Sequence, residues 1–331
     1  MNPAKPLVSL CMATCLRSDL FPACFAALLA QTYAPLEILV LADGSNEASL
    51  ALLKNCRDVR LRWIATPKPS GMVRAWNTVC RESKGKYFLF CADDDVLLPH
   101  AIEQQVELLE EHSDVGFCHA DFVFIDDDDQ EIGRWISHEG TWVKTRREEW
   151  PRYLVQTRCC MQTTVVRREA WDKVNGWDED AGNPGDNSLY LKLLRDWNVG
   201  HVNHLACQYR IRTRSPDSWE KQYRNVREYH ALAIKHLNYP PHELAVPLGT
   251  ISNRLHARLS RMAIPLLQTR GVWETEQKEL RRWLKGEVWS KTTLGSLFHF
   301  LDRVGGLEML AQGGILMQKL RAFARTLLRH S

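Results

Sequence analysis

Short apolar runs alternate with helix-patterned segments through the first hundred residues, and no other feature constrains the fold as strongly. Leu7–Met12 reads as a strand buried on both faces. Ser18 then stands as an N-cap before Phe21, Phe25, Leu28 and Leu29, which share one helical face. Glu37–Leu41 is a second strand, and Ser45 caps a helix reaching Asn55. Val59–Ile64 alternates as a half-exposed strand does, 72–83 fits a helix, and Tyr87–Cys91 is a fourth strand. Pro99 opens a further helix whose inner face is Ile102, Val106 and Leu109.

Repeated βα units imply an α/β fold, a mostly parallel sheet flanked by helices. Ligands of such sheets bind outside the carboxyl ends of the strands. Those ends read Ala13-Thr14, Ala42-Asp43-Gly44-Ser45, Ala65-Thr66-Pro67 and Ala92-Asp93-Asp94-Asp95. Beyond residue 115 the pattern changes. Val115–His119 and Phe122–Ile125 look like two strands, Asp126–Gln130 a turn, Ile132–Ile136 a returning hairpin arm and Thr163–Val166 a short strand. A helix near Ser188–Asp196 precedes the strand-like Leu205–Ile211. From Asp217 onward the spacing is helical, as in Leu255, Leu259, Met262 and Leu266.

The 331 residues suffice for one large domain or two smaller ones. With 25% charged residues and no apolar run of 18, a membrane-spanning helix is not expected. Met1–Pro6 lacks the apolar stretch of a secretory signal. The ten cysteines form no CxxC pair and sit mostly in apolar stretches, as buried thiols of a reducing cytoplasm do. The net charge of +3 is unevenly spread: residues 230–331 carry 15 Lys/Arg against 7 Asp/Glu, and the rest of the chain is acidic. The basic residues are mixed with acids and accompany no nucleic-acid motif, so nucleic acid is not an expected partner.

Asp93-Asp94-Asp95 carries the clearest chemistry. Three adjacent carboxylates repel one another, and gathering them is costly without a cation. Mg²⁺ and Mn²⁺ take oxygen ligands, one or two carboxylates plus phosphates and water. A solvated turn that caps the next helix is the plain alternative; position at a strand's carboxyl end favours the site. Asp126–Asp129 is richer in acid but lies between hairpin arms, where a solvated turn is the better reading. Asp43 ends the second strand and can accept from a base N–H or a ribose hydroxyl, while Gly44 permits a sharp turn; taken alone, a plain βα loop with a capping Ser is the better reading of this segment. Walker A and GxGxxG loops are absent.

Taken in order, Leu7–Met12, Gln31-Thr32-Tyr33, Glu37–Val40, Asp43-Gly44-Ser45, Gly85-Lys86-Tyr87 and Ala92–Pro99 resemble the family 2 glycosyltransferases of the GT-A fold. The resemblance continues through Arg167–Trp171, Gly176–Glu179 and Tyr209-Arg210, and so covers residues 6–215. It implies a nucleotide-sugar half at about 1–115, an acceptor half at about 116–215, and a helical, basic region at 216–331 outside the resemblance. The implied reaction is an inverting transfer from a nucleotide-diphosphate sugar to an acceptor hydroxyl in surface or secreted glycan assembly.

By the same resemblance, Asp43 holds the base, Asp93 contacts ribose or sugar, and Asp94 ligates a Mn²⁺ or Mg²⁺ on the diphosphate with Asp95 as a further partner. Thr14, Arg74 and Asn77 belong to the segments that line the donor site, and Asp186 matches the base. Helix capping is the alternative for Asp186. Several positions depart from the family pattern: Cys15-Leu16, Trp76, Gly185, Ser188 and Arg212 replace its usual residues. Arg212 or Arg214 can neutralise a diphosphate or serve only the surface. Trp135 and Trp142 lie where acceptor loops begin and can stack on sugar, though packing is the commoner fate of a tryptophan.

Leu316, Leu320, Phe323 and Leu327 oppose Arg321, Arg325 and Arg329 on a helix that can rest on an anionic membrane or pack on the protein. Trp273, Trp283 and Trp289 are possible interfacial residues. A lipid-linked or glycan acceptor handled at the inner face of the membrane is the corresponding expectation. A sugar-nucleotidyltransferase would carry a Gly-rich basic loop near the first strand, which residues 11–19 lack. A non-catalytic glycan-binding protein would ignore nucleotide and metal.

Overall fold

A computed structural model describes residues 4–288 apart from 16–18, 45–46, 213–217, 239, 264–265 and 267–273. The expectations placed on Ser18, Ser45, Arg214, Trp273, Trp289 and the helix of 316–329 lie outside the described residues. The chain divides into two compact units, one of residues 1–153 and 157–216, the other of 154–156 and 217–331.

The first unit is built on ten strands: β1 Val8–Thr14, β2 Leu36–Asp43, β3 Leu61–Thr66, β4 Tyr87–Cys91, β5 Val96–Leu97, β6 Val115–Ile125, β7 Glu131–Trp135, β8 Trp142–Lys144, β9 Thr164–Arg167 and β10 Asn198–Arg210. The order is β3-β2-β1-β4-β9-β6-β10-β5, with β7 on β6 and β8 on β10. Strands β3, β2, β1 and β4 are parallel, as the βα alternation predicts. The other half is mixed. Strand β9 runs antiparallel to both β4 and β6, whereas β6 and β10 are parallel.

Helices α1 Phe21–Leu29, α2 Glu47–Asn55, α3 Met72–Glu82 and α4 Glu103–Glu111 connect the strands of the first half. Val8, Leu10, Met12, Ile38 and Val40 form one face of the sheet and pack with Phe21, Phe25 and Leu28 of α1 and Leu53 of α2 in a single core. Alternation sends Cys11, Leu39 and Leu41 to the opposite face. The chain continues with α5 Arg146–Val155, α6 Arg168–Lys173 and α7 Gly185–Leu193.

Three local readings change. Val115–Ile125 is one unbroken strand, because Ala120 and Asp121 are buried and paired like their neighbours. Pro99 lies in a turn with His100 at φ 61°, and the helix begins only at Glu103. Val59 is 99% exposed and precedes β3. All ten cysteines are free thiols.

The second unit contains α8 Trp219–Leu237, α9 Leu248–Ala263 and α10 Glu274–Trp283, followed by a π-helical turn at Leu284–Val288. Leu255, Leu259 and Leu266 are buried, as their spacing requires, and the Trp219 indole donates to the Leu266 carbonyl at 2.9 Å. The Trp283 ring packs 5.5 Å from His230, inside this unit. Among the described residues no helix is long and apolar enough to cross a membrane.

Candidate active site

The carboxyl ends of β2, β1 and β4 lie side by side. Because β9 is antiparallel to β4, its entry, the turn Met161–Thr163, reaches the same rim. A cavity of about 390 Å³ follows that rim. Asp43 lies at the end of β2, Thr14 and Cys15 at β1, Phe90, Ala92, Asp93 and Asp94 at β4, and Met161 and Gln162 at β9. Pro69, Gly71, Met72, Ala75 and Trp76 form the wall contributed by α3 and the loop before it.

Asp43 is 3% exposed and serves the loop before α3 as well as the cavity. It accepts from Thr66 Oγ1 at 2.7 Å, the Ser70 amide at 2.8 Å and Ser70 Oγ at 3.0 Å. A carboxylate has about four lone-pair positions, so little capacity remains for a base or ribose. Gly44 stands at φ 66°, and a Cβ there would lie 2.5 Å from Pro69. Only glycine allows the loop to close this tightly on the strand end.

The aspartates after β4 separate by function. Asp93 and Asp94 line the cavity, and Asp93 Oδ2 accepts from the Cys15 amide at 3.4 Å. Asp95 is not among the cavity residues: its carboxylate is 7% exposed and accepts the Arg210 amide of β10 at 2.7 Å. The Arg210 guanidinium donates to the Asp94 carbonyl at 3.0 Å, the Asp126 carbonyl at 2.8 Å and Asp129 at 2.5 Å. The acidic turn read as merely solvated is thus also an anchor, and Arg212 meets Asp127 at 3.2 Å. Asp95 is a brace, whereas Asp93 and Asp94 face the site.

Two expected donor-site residues are turned elsewhere. On α3, Met72, Ala75 and Trp76 share the cavity face at i, i+3 and i+4, so Arg74 and Asn77 fall on other faces. Arg74 is exposed and pairs with Glu179 at 3.1 Å. Asn77 is fully buried, donating to the Trp177 carbonyl at 3.0 Å and accepting the Trp177 amide at 2.9 Å. It clamps the Gly176-Trp177 turn. Trp177 in turn packs 6.0 Å from Trp76 and 6.1 Å from Phe90, behind the cavity wall.

Asp186 stands in the first turn of α7 and is not among the residues that line the cavity. A Cβ at Gly185 would lie 3.0 Å from Val73 and 3.5 Å from the cavity residue Trp76, so α7 approaches this wall closely. Glycine therefore stands where the family pattern has an acid. Asp186 Oδ1 accepts the Asn187 amide at 2.7 Å, so it also serves the helix start. Burial pushes its carboxyl up to about 6, opposed by that amide. Cys159, Cys160, Tyr190 and Tyr209 feel its charge and are themselves raised by burial, so the neighbours of this carboxylate are neutral.

Trp135 and Trp142 are half-buried and enclose a buried histidine pair. The Trp142 ring stacks on His201 at 5.3 Å and Trp135 lies 5.7 Å from His119, whose Nδ1 is 3.3 Å from that of His201. Much of each indole is occupied by this packing. Met161 and Gln162 are the cavity residues that the strand pattern does not single out, because an antiparallel strand inserted after β4 leaves no mark on βα alternation.

Among the described residues no three metal-ligating side chains converge. Asp93 and Asp94 are hard oxygen donors beside open volume, and a Mg²⁺ or Mn²⁺ completes its shell with water and diphosphate oxygens, so the donor set fits such a cation.

Residues 9–174 match the model of glycosyl transferase family 2. A chondroitin synthase of Escherichia coli is 27% identical over 208 residues, 62% of this chain but only 29% of that protein. The Escherichia coli UDP-Glc:alpha-D-GlcNAc-diphosphoundecaprenol beta-1,3-glucosyltransferase WfgD is 22% identical over 207 residues, 62% of this chain and 77% of the enzyme. Among solved structures, S. aureus TarS 1-349 in complex with UDP-GlcNAc aligns with TM-score 0.65 at 15% identity, covering 91% of this chain and 88% of the other. The mannosyltransferase PcManGT of Pyrobaculum calidifontis, in complex with GDP-Man and Mn²⁺, aligns with TM-score 0.53 at 14% identity, covering 98% and 80%. These likenesses show a GT-A-like α/β fold. With the family model spanning half the sequence and the strand-end aspartates in one cavity, the chain belongs to glycosyl transferase family 2.

Proposed function

We propose that this chain transfers a sugar, with inversion, from a nucleotide-diphosphate sugar to an acceptor hydroxyl. The observation that carries the reading is the gathering of groups along one rim, Asp43 at β2, Thr14 at β1 and Asp93 and Asp94 at β4, with the helix that carries Asp186 starting close to the cavity wall at Val73 and Trp76. The nucleotide lies toward Asp43, the diphosphate beside Asp93 and Asp94, and the transferred sugar toward Met161 and Gln162. In this reading 1–115 is the nucleotide-sugar half and 116–215 the acceptor half.

Asp186 takes the proton of the acceptor hydroxyl while that oxygen attacks the anomeric carbon. The bond from this carbon to the diphosphate oxygen breaks, the configuration inverts, and the nucleoside diphosphate leaves. A base that titrates near the working pH is suited to this task. Burial and neutral neighbours supply that property at Asp186. Asp94, with Asp93 beside it, holds Mn²⁺ or Mg²⁺; when bound, the cation offsets charge on the departing diphosphate.

The names of the relatives, a chondroitin synthase and a diphosphoundecaprenol-dependent glucosyltransferase, support polysaccharide assembly on a glycan or lipid-linked acceptor. A cytoplasmic location at the inner face of the membrane, aided by the basic residues of 230–331, accords with such acceptors. The test is donor turnover by the purified protein with UDP-, GDP- and dTDP-sugars, with and without Mn²⁺. Release of the nucleoside diphosphate only with cation supports the reading; no turnover and no binding of any of them would overturn it.

A further inference from the structure

A polar side chain stands at the end of the cavity toward which the transferred sugar lies in the proposed reaction. Gln162 is 8% exposed and lines the cavity at its β9 end. Its amide oxygen accepts from the Cys160 thiol. Burial raises the Cys160 thiol well above its ordinary value, so the sulfur keeps its proton and acts as the donor. The amide oxygen faces Cys160 and the nitrogen lies on the other side. Among the described residues the nitrogen has no protein acceptor, and it is absent from the buried polar atoms that lack partners, so it keeps access to open volume. The volume adjoining Gln162 is the cavity that also holds Asp93 and Asp94.

We propose that the Gln162 amide nitrogen hydrogen-bonds an oxygen substituent of the transferred sugar and thereby selects among donor sugars. This rests on the reading of the cavity as the donor site. A buried amide with one end tied down is a directional, uncharged donor, suited to a hydroxyl or an N-acyl carbonyl. A diphosphate, by contrast, is held by charge. Discrimination of this kind is efficient because a sugar lacking the oxygen leaves the N–H unpaired. The backbone at Met161–Thr163 is fixed by the Thr163 amide donating to the Cys160 carbonyl at 3.1 Å, and Thr164 Oγ1 reaches the same carbonyl at 2.7 Å. The amide therefore sits on a rigid turn at the start of a strand.

The test is calorimetric, with Mn²⁺ present, on wild type, Gln162→Leu and Gln162→Met. UDP and GDP are compared with UDP-glucose, UDP-N-acetylglucosamine and GDP-mannose. The expected result is that each variant binds the nucleoside diphosphates within about twofold of wild type and loses about five- to tenfold in affinity for the preferred nucleotide sugar, the value of one neutral hydrogen bond. A loss confined to UDP-N-acetylglucosamine assigns the partner to an acyl carbonyl, and a loss shared with the hexose donors assigns it to a hydroxyl. Cys160→Ala, which frees the amide to rotate, should show a smaller loss that Cys160→Ser restores. Equal affinity of variant and wild type for every nucleotide sugar, or a parallel loss for diphosphate and nucleotide sugar, would overturn the assignment while leaving the transferase reading standing. Failure of wild type to bind any nucleoside diphosphate would overturn both.

Discussion

The Arg210 amide donates to Asp95 Oδ1 at 2.7 Å, and from the same residue the guanidinium reaches the Asp94 carbonyl at 3.0 Å. The end of β10 thus holds two consecutive aspartates by different atoms. The third, Asp93, lines the cavity together with Asp94. The repulsion expected within the triple-aspartate corner is relieved in part by dividing the corner between a brace and a site.

Arg210→Ala removes a buried guanidinium from the Asp94 and Asp126 carbonyls and from Asp129. Loss of hydrogen bonds to a charged donor in a buried setting should cost about 2–4 kcal/mol. Urea denaturation is expected to show a lower midpoint with an unchanged slope. A change below about 0.5 kcal/mol would mean that the clamp is not stabilising.

Asn77→Ala should also act on stability rather than on nucleotide affinity. It leaves the Trp177 amide and carbonyl unpaired in a buried turn, a loss of about 2–4 kcal/mol for two bonds. Below the melting temperature, the affinity for a nucleoside diphosphate should stay within about twofold of wild type. A selective loss of nucleotide binding would return Asn77 to the donor site.

In the proposed reaction Asp186 connects activity and stability to pH with opposite signs. Its carboxyl is raised from the usual acid range to about 6, so the folded protein retains this proton longer than the unfolded chain. From this group alone, stability falls as pH rises from about 4 to about 6 and stays lower above that. The base is competent only when ionised, so transfer should rise with pH through an apparent pKa near 6. Asp186→Asn is expected to abolish transfer, spare donor binding and raise the melting temperature at pH 7.5. Transfer by the variant at the wild-type rate would remove the base assignment.

Much of this architecture was readable from the residues alone. The parallel half was legible because buried strands there alternate with amphipathic helices, and the strand-end rule led to residues that line the cavity, Asp43, Asp93 and Asp94. The mixed half was less so. The short strand β5 and the edge strand β8 are too brief to carry a period, and β6 contains His119 and Asp121, polar residues that break its apolar run yet are buried. Which side chains reach the cavity was not legible where direction along a helix or turn decides it. Arg74 and Asn77 lie on the segment of α3 that lines the cavity but on its other faces, and Asp95 differs from Asp94 by a single alternation. Gln162 carried no signal, because its place on the rim depends on β9 entering the sheet antiparallel.

Asp43→Ala should loosen the turn that forms one wall of the cavity. Three donors from Thr66 and Ser70 lose their acceptor. Nucleotide affinity is expected to fall by at least tenfold, with faster proteolysis between residues 66 and 71 in the free protein. Retention of both properties would show that the loop is held by other contacts.

The most direct measurement is a calorimetric titration of the protein with UDP and GDP in Mn²⁺, in EDTA, and in Mn²⁺ with Asp94→Ala. The expected result is one saturable site per chain for one of the two nucleotides, lost in EDTA and weakened at least tenfold by the substitution. Binding that is indifferent to both cation and Asp94 would contradict the cation-dependent transferase described above.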